Sequence, residues 1–508
     1  MAPAADTARD GAKSIAVFDV GKTNKKLLVF NHRLDLVDEA YHTFDQYEKD
    51  GVQIEAVEET SAWLIASLKA MALKHDIGAV SVSTHGAAFA CVDAAGRLAM
   101  PVLSYTTDPG PDFVSRFSAE YGDPITLQKD TKTPDMIALG CMAKGIAFAR
   151  ERWPQQFKKT AAILPLPQYY GFVLTGNKAI DPTNVGCHTA FWNFEKADWS
   201  PIVDRMGLSA LFPETISDPW AVLGTLKPDI ARETGLSEDT VVTVGIHDSN
   251  ASLLPYLIKQ TEPFVVNSTG TVSVSLRPTA DVALRDEDLG KIVYYNLSAF
   301  KTPVKTTIFM GGMEFDTYMG LLSTIHGQAK HPPLDKRLME DILDRRKLFV
   351  LPSFIPFGMF PGSAARVVQG DTVIPLGELF GGKHPSFFGD FATAYHVLVL
   401  SVALQAEVAL RAVGLSDGMR LFIEGGFAKN EVYTRLLAAL FLNSPTATTN
   451  LAEATAFGAA LLGKAALMGT TPRELSDLFE IEAREVAPER FEGLEGYREQ
   501  FLKLVEGR

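Results

Sequence analysis

Apolar and polar positions alternate in short blocks along the chain. Residues 14–20, SIAVFDV, form an apolar run with Asp19 near its end. The polar turn GKTNK follows at 21–25, and a second apolar run, KLLVF, reaches residue 30. Two strand-length apolar runs around a polar glycine turn predict a β-hairpin carrying an aspartate at its rim. PFVVN, STGT and VSVSL at 263–276 repeat the arrangement about 245 residues later, which suggests an internal duplication.

Between the hairpins the pattern alternates. Helical spacing runs over 63–75, and 79–83 is a short strand leading into THGAA. A polar stretch runs from Thr175 and Gly176 to Trp192. VVTVGIHDSNASL at 241–253 reads as a strand, a loop and a helix, with a domain boundary near 245. Residues 391–413 predict a long helix closed by Gly414. RLFIEGG is a strand that breaks at its glycine pair, and a helix starts at Glu431. EATAFGAALLGKAALMG, 453–469, is an Ala/Gly-rich helix suited to close packing. The expectation is an α/β protein of two domains, 14–246 and 247–470, followed by a charged amphipathic tail, 471–508.

At 508 residues the chain exceeds one hydrophobic core, which supports two domains. A net charge of -13 argues against nucleic acid or an anionic membrane as general partner, since both need a basic face. Cys91, Cys141 and Cys187 lie far apart without CxxC spacing, so neither a disulfide framework nor a zinc site can be read from them. They are expected as buried thiols in a reducing compartment. The lead MAPAADTARDGAK lacks the apolar core of a signal peptide and reads as short and disordered. The greasiest stretch, 395–410, carries His396, Gln405 and Glu407, as a buried soluble helix would. A cytoplasmic enzyme without a membrane partner is the expectation.

Several strand ends carry candidate chemistry. The turn after Asp19 exposes backbone N–H groups at Gly21, and Lys22, Thr23, Asn24, Lys25 and Lys26 add donors and charge. Such a turn can cradle phosphate, while Asp19 can hold Mg²⁺. A plain hairpin turn with solvated lysines is the alternative. A Walker A loop is excluded, because Ala16 stands where its first glycine belongs and a strand follows the lysine. NSTGT, 267–271, offers Thr269, Gly270 and Thr271 as a second phosphate turn. Asp248, beside His247, stands where a carboxylate can take a proton from a hydroxyl, or can cap the next helix. Gly425 and Gly426 leave room for a flat ring. His85 and Gly86, and Tyr105 and Asp108, follow short apolar strands and can meet sugar hydroxyls.

The order of these motifs resembles the FGGY carbohydrate kinase family. It runs from Asp-x-Gly-x-Thr-Asn at 19–24 through HG at 85–86, Tyr-x-x-Asp at 105–108, LTG at 174–176, HD at 247–248 and STGT at 268–271. GGFAKN at 425–430 and EATAFGAA at 453–460 complete it, so the match covers about 14–468. The resemblance implies two actin-like, RNase-H-like domains closing on ATP and a sugar in the cleft between them, with Mg²⁺. It implies Asp19 as the metal ligand and Asp248 as the catalytic base. Gly21, Lys22, Thr23, Asn24, Thr269, Gly270, Thr271, Gly311, Gly312, Gly425, Gly426 and Asn430 fall to ATP. His85, Gly86, Asp108 and His247 fall to the sugar. A homodimer is common in such kinases. Three departures stand out. Lys26 replaces the usual Arg, Lys22 replaces a small residue, and GMFPGSAAR at 358–366 replaces an acidic-arginine-proline stretch. The HD pair resembles rhamnulose and fuculose kinases and the HG pair xylulose kinases, so a five- or six-carbon ketose is the expected acceptor. A small polyol such as erythritol or glycerol, and a sugar-independent ATPase of the same fold, are the alternatives.

Overall fold

The computed structural model describes residues 13–507 apart from 46, 50, 328–329, 355–357 and 452. The N-terminal lead read as disordered lies outside the described residues, except for Lys13.

Two mixed sheets organise the chain. The first contains β1 (Ser14–Val20), β2 (Asn24–Phe30), β3 (Leu36–Thr43), β4 (Ile77–Thr84), β5 (Val222–Thr225), β6 (Val241–Thr243) and the two-residue β7 (Ile246–His247). Its order is β5-β6-β4-β1-β2-β3, with β7 beside β4. The second contains β8 (Phe264–Thr269), β9 (Ser273–Pro278), β10 (Val293–Leu297), β11 (Pro303–Phe309), β12 (Arg420–Gly425), β13 (Thr446–Thr449) and β14 (Ala483–Glu485). Its order is β10-β11-β9-β8-β12-β13-β14.

The duplication suggested by the two hairpins is present in the topology. Three antiparallel strands continue into two parallel ones as β3-β2-β1-β4-β6, and again as β11-β9-β8-β12-β13. The central strands are covered on both faces, which is why β1 reads as apolar from Ile15 to Phe18 before reaching Asp19. Each repeat then sends a helix from its last parallel strands: α1 (Asp248–Lys259) and α2 (Ala454–Met468). Ala251 and Leu254 of α1 pack with Ala456, Ala459 and Ala460 of α2 in a core shared with Ile15 and Ala79 of the first sheet. Leu253 and Tyr256 of α1 join Phe264, Val266 and Phe422 of the second sheet. The helix that begins at Asp248 is therefore clamped between both halves.

The helix expected at 391–413 is Phe391–Val413, closed by Gly414 at φ 90°. Among the described residues it is the one helix long and apolar enough to cross a bilayer, and 89% of its apolar window is buried within the protein. The helix expected at 63–75 is Val57–Ala72, which starts six residues and ends three residues earlier. The tail is less detached than its charge suggested. Residues Ala483–Glu485 extend the second sheet, and helix Leu494–Glu506 buries Tyr497 and Phe501 in the core that holds Val265 and Ile423 of that sheet. The departing stretch 358–366 leads into a small sheet of Leu348–Leu351, Arg366–Gln369 and Thr372–Pro375, which the sequence pattern did not reveal.

Candidate active site

Strand register brings the first group of residues together. Val20 of β1 pairs with Thr84 of β4, and Thr84 pairs with His247 of β7. Three strands thus end at one sheet edge, delivering the turn at Gly21 and Lys22, the His85-Gly86 step, and Asp248. Parallel strands joined by long crossovers place residues distant in sequence at such an edge. The hairpin register sets Lys26 opposite Asp19. Lys26 Nζ lies 3.8 Å from Asp19 Oδ2 and 2.5 Å from Glu453 Oε2, so it ties the first hairpin to the start of the Ala/Gly-rich helix. Lys25 turns inward and donates to the Gly21 and Lys22 carbonyls at 2.9 and 2.8 Å, holding the turn from beneath.

Asp248 is the first residue of α1, with His247 as its N-cap. Its side chain is 31% exposed, while His247 beside it is buried. Asp248 Oδ1 accepts from the Ser249 N–H at 2.6 Å and lies 3.1 Å from His247 Nε2. The backbone N–H of His247 donates to Thr183 Oγ1 at 3.0 Å, which fixes the pair from below. Tyr256, two turns along α1, donates to Glu424 Oε2 at 2.9 Å and so anchors this helix to the end of β12.

The second repeat builds its edge from backbone. Thr269 pairs with Gly425, so the turn at Gly270 and Thr271 leaves the sheet beside the glycine pair. A methyl group on Gly425 would fall on the Thr269 carbonyl oxygen, and one on Gly312 would fall on the Gly270 carbonyl oxygen. Glycine is required at both positions because three chain segments touch main chain to main chain. Gly311 and Gly312 open the helix Gly311–His326, and the Met313 N–H donates to the Thr271 carbonyl at 3.0 Å. The Thr269 hydroxyl is occupied: it donates to the Glu424 carbonyl at 2.5 Å and accepts from the Phe427 N–H at 3.0 Å. Asn430 is the N-cap of helix Glu431–Leu440, its Oδ1 accepting from the Tyr433 N–H at 3.2 Å.

Burial sets the electrostatics of the first edge. It pushes the Asp19 carboxyl up to about 7, with Asp248 and Glu453 adding to the rise and Lys26 opposing it. It also raises Asp248, against the pull of His85 and the Ser249 donors. Burial lowers His247 to about 3, with His85 adding, and lowers His188 to about 4, with His247 adding. Both imidazoles are therefore neutral at physiological pH. Burial pushes Glu55 up, but His85, Lys22 and Lys25 together hold it below the ordinary carboxylate range.

Several placements differ from the sequence reading. The Lys22 ammonium, expected among phosphate donors, is paired with Glu55, donates to Ser104 Oγ at 2.5 Å and lies 5.3 Å from the Tyr105 ring centroid. Glu55 is 33 residues away, and Lys22 swings to it because a buried carboxylate needs a cation. Thr23 and Asn24 are exposed at the turn, as are Gly270 and Thr271 at the other. Asp108 is exposed, its Oδ1 accepting from the Gly110 N–H at 2.9 Å. From that segment it is Tyr105 that reaches His85, with rings 5.3 Å apart. Gly86 is fixed by close approach: a methyl there would lie 2.9 Å from His247 Nε2 and 3.3 Å from His188 Cε1. Glu55, His188 and Tyr294 were not anticipated. His188, with its ring 5.9 Å from that of Tyr294, has φ +36°. The polar stretch before Trp192 was the one signal that could have pointed to it.

Residues 14–255 match the sequence profile of the FGGY family of carbohydrate kinases, N-terminal domain. Residues 261–472 match that of the carbohydrate kinase FGGY, C-terminal domain. A rhamnulokinase of Enterococcus faecalis is 25% identical over 177 residues, 34% of this chain, and the chain spans about a third (34%) of that relative's length. An L-fuculokinase of Escherichia coli K12 is 22% identical over 475 residues, covering 88% of this chain and 91% of that one. The crystal structure of a carbohydrate kinase from Novosphingobium aromaticivorans superposes with a TM-score of 0.78 at 25% identity. It covers 98% of this chain and 99% of that one.

Proposed function

The chain belongs to the FGGY family of carbohydrate kinases, and from that premise we propose that it transfers the γ-phosphoryl group of ATP to a hydroxyl of a five- or six-carbon ketose. The observation that carries this reading is Asp248: a partly open carboxylate at a helix start, backed by buried neutral imidazoles and facing the same sheet edge as Asp19. In this reading the boundary falls at 246/247. The acceptor lies against the first domain near His85, Gly86 and His247, and ATP lies mainly against the second.

Asp248 accepts the proton of the attacking hydroxyl as the phosphorus–oxygen bond forms, and ADP leaves with the electrons of the broken bond. Its raised carboxyl makes it a stronger base than an ordinary aspartate once ionised. The turns at Gly21–Asn24 and Gly270–Thr271 supply backbone donors to the phosphates. Gly312 and Gly425 let the segments behind the second turn approach main chain to main chain, Gly426 leaves open space on the nucleotide side, and Asn430 shapes the adenosine side. Lys22, held by Glu55 and Ser104, serves the acceptor side and not the phosphates.

Mg²⁺ fits this donor set, because Asp19 is an oxygen donor whose carboxyl is driven up mainly by burial, with the negative field of Asp248 and Glu453 adding to the rise. Asp19 would hold it, and the bound ion supplies charge neutralisation to the phosphoryl group in flight.

The HD pair and the fuculokinase and rhamnulokinase likeness favour a ketose over a small polyol. ADP release measured across ketoses, aldoses and polyols, with and without each acceptor, tests the reading. Turnover with a ketose supports it, turnover with glycerol or erythritol alone moves the acceptor class, and equal ATP hydrolysis without any acceptor defeats it.

A further inference from the structure

The segment after Gly186 brings Cys187 and His188, to which phosphoryl transfer assigns no chemical step, up to His247 on the acceptor side. Cys187 Sγ and one ring nitrogen each of His188 and His247 lie within 4.8 Å of one another. Cys187 Sγ stands 3.6 Å from His247 Nε2. A tetrahedral ion with bonds of about 2.3 Å to sulfur and about 2.0 Å to nitrogen sets those two atoms roughly 3.5 Å apart. Asp248 Oδ1 lies 3.1 Å from the same nitrogen but outside the distance that joins the other three to one another, so its side chain must rotate toward them to become the fourth ligand. One thiolate, two imidazoles and a carboxylate suit a borderline-soft ion such as Zn²⁺ and not Mg²⁺.

The surroundings are built to the same end. Thr183 and Gly86 fix His247 from below and beside, and Cys187 is 1% exposed. Asn250 Nδ2 lies 3.1 Å from His247 Nδ1, while the buried Asn250 Oδ1 has no hydrogen-bond partner among the described residues. The two ends of an amide exchange by rotation about the last side-chain bond. With Asn250 reversed, Oδ1 accepts from Nδ1–H, the unpaired oxygen is satisfied, and the Nε2 lone pair is free toward Cys187. A metal-bound histidine donates from its far nitrogen to such an acceptor.

We propose that Cys187, His188 and His247, with Asp248 as fourth ligand, form a binding site for a Zn²⁺-class cation, and that the bound ion switches phosphoryl transfer off by engaging Asp248. Binding releases the Cys187 thiol proton to solvent. The switching half rests on the function proposed above, and the binding half does not.

Metal-free full-length protein titrated with Co²⁺, a spectroscopic substitute for Zn²⁺, separates the two halves. A thiolate-to-cobalt absorption band saturating at one equivalent, displaced by Zn²⁺ and lost in Cys187→Ser, is the expected result. In the ADP-release assay with excess Mg²⁺, Zn²⁺ inhibits the wild type. Cys187→Ser keeps wild-type turnover without Zn²⁺ and needs roughly 10- to 100-fold more Zn²⁺ for the same inhibition. No band in the wild type, or a band retained in Cys187→Ser, overturns the site. A band formed with turnover undiminished overturns the switch. Absence of turnover with every acceptor defeats the kinase reading and the switch with it, and the Co²⁺ spectrum alone then decides the site.

Discussion

The two repeats share a strand order but use opposite materials at the same edge. In the first, the ends of β1 and β4 and the start of α1 carry Asp19, His85 and Asp248, each shifted by burial. In the second, the matching ends of β8 and β12 carry Thr269, Gly270, Gly425 and Gly426, and contacts run through main chain. Side chains give chemistry that titrates, which suits an acceptor whose proton must be removed. Main-chain donors give fixed dipoles without protonation states, which suits a polyphosphate that must be held the same way each turnover.

The sharpest way to break that contrast is Asp248→Asn. It preserves shape and removes the base, so kcat is expected to fall about 10²–10⁴-fold with KM for ATP nearly unchanged. Turnover like the wild type's would remove Asp248 from its role and leave the first edge without a special part.

Next in size are paired glycine substitutions. Gly312→Ala and Gly425→Ala each drive a methyl into a carbonyl oxygen of the Thr269–Gly270 turn, an overpacking cost of about 1–3 kcal/mol, or roughly 5- to 150-fold. The loss is expected in KM for ATP. Gly86→Ala presses on His247 instead, and its loss is expected in KM for the acceptor. If all three variants damaged the same parameter, the division of labour between the edges would be wrong.

These contrasts also show what was legible beforehand. The hairpins, the helix 391–413 with Gly414 as its stop, and Asp248 at a strand-to-helix step could be read because each depends on a few neighbouring residues. The partners of Lys22 could not. Turn chemistry marks Lys22 as a phosphate donor, and only the fold brings Glu55 and Ser104 to its ammonium, from 33 and 82 positions away. The partners of Thr269 were hidden for a similar reason: its hydroxyl, in a phosphate-like turn, is bonded to the Glu424 carbonyl and the Phe427 N–H, more than 150 positions later. His188 lay in a stretch with no periodicity to interpret, and a short helix capped by Asp181 positions it.

Lys22→Met tests the reassigned lysine. The variant leaves Glu55 buried without its closest cation, so about a 10-fold rise in acceptor KM is expected, with ATP KM within roughly 2-fold of the wild type. A change confined to ATP KM would return Lys22 to the phosphate side.

The smallest expected effect concerns stability and is the most direct probe of the first edge's electrostatics. Asp19 titrates at about 7 in the folded protein against 3.8 ordinarily. Between those values the folded chain keeps a proton that the unfolded chain has released, so stability falls as pH rises from about 4 to about 7. Above 7 the buried charge is present in the native state and its cost is fully felt. Asp19→Asn removes that cost but cannot ionise, so its advantage must be absent near pH 4 and fully developed at pH 8. In protein freed of divalent metal by EDTA, Tm at pH 8 is expected to rise by roughly 3 °C in Asp19→Asn, with no gain at pH 4. Added Mg²⁺ and ATP should close most of that gap by stabilising the wild type alone, since the ionised carboxylate then has a cation to serve. A Tm at pH 8 that is lower in Asp19→Asn would mean that Lys26 already neutralises the carboxylate, and the first edge would carry no unmet negative charge for a metal to answer.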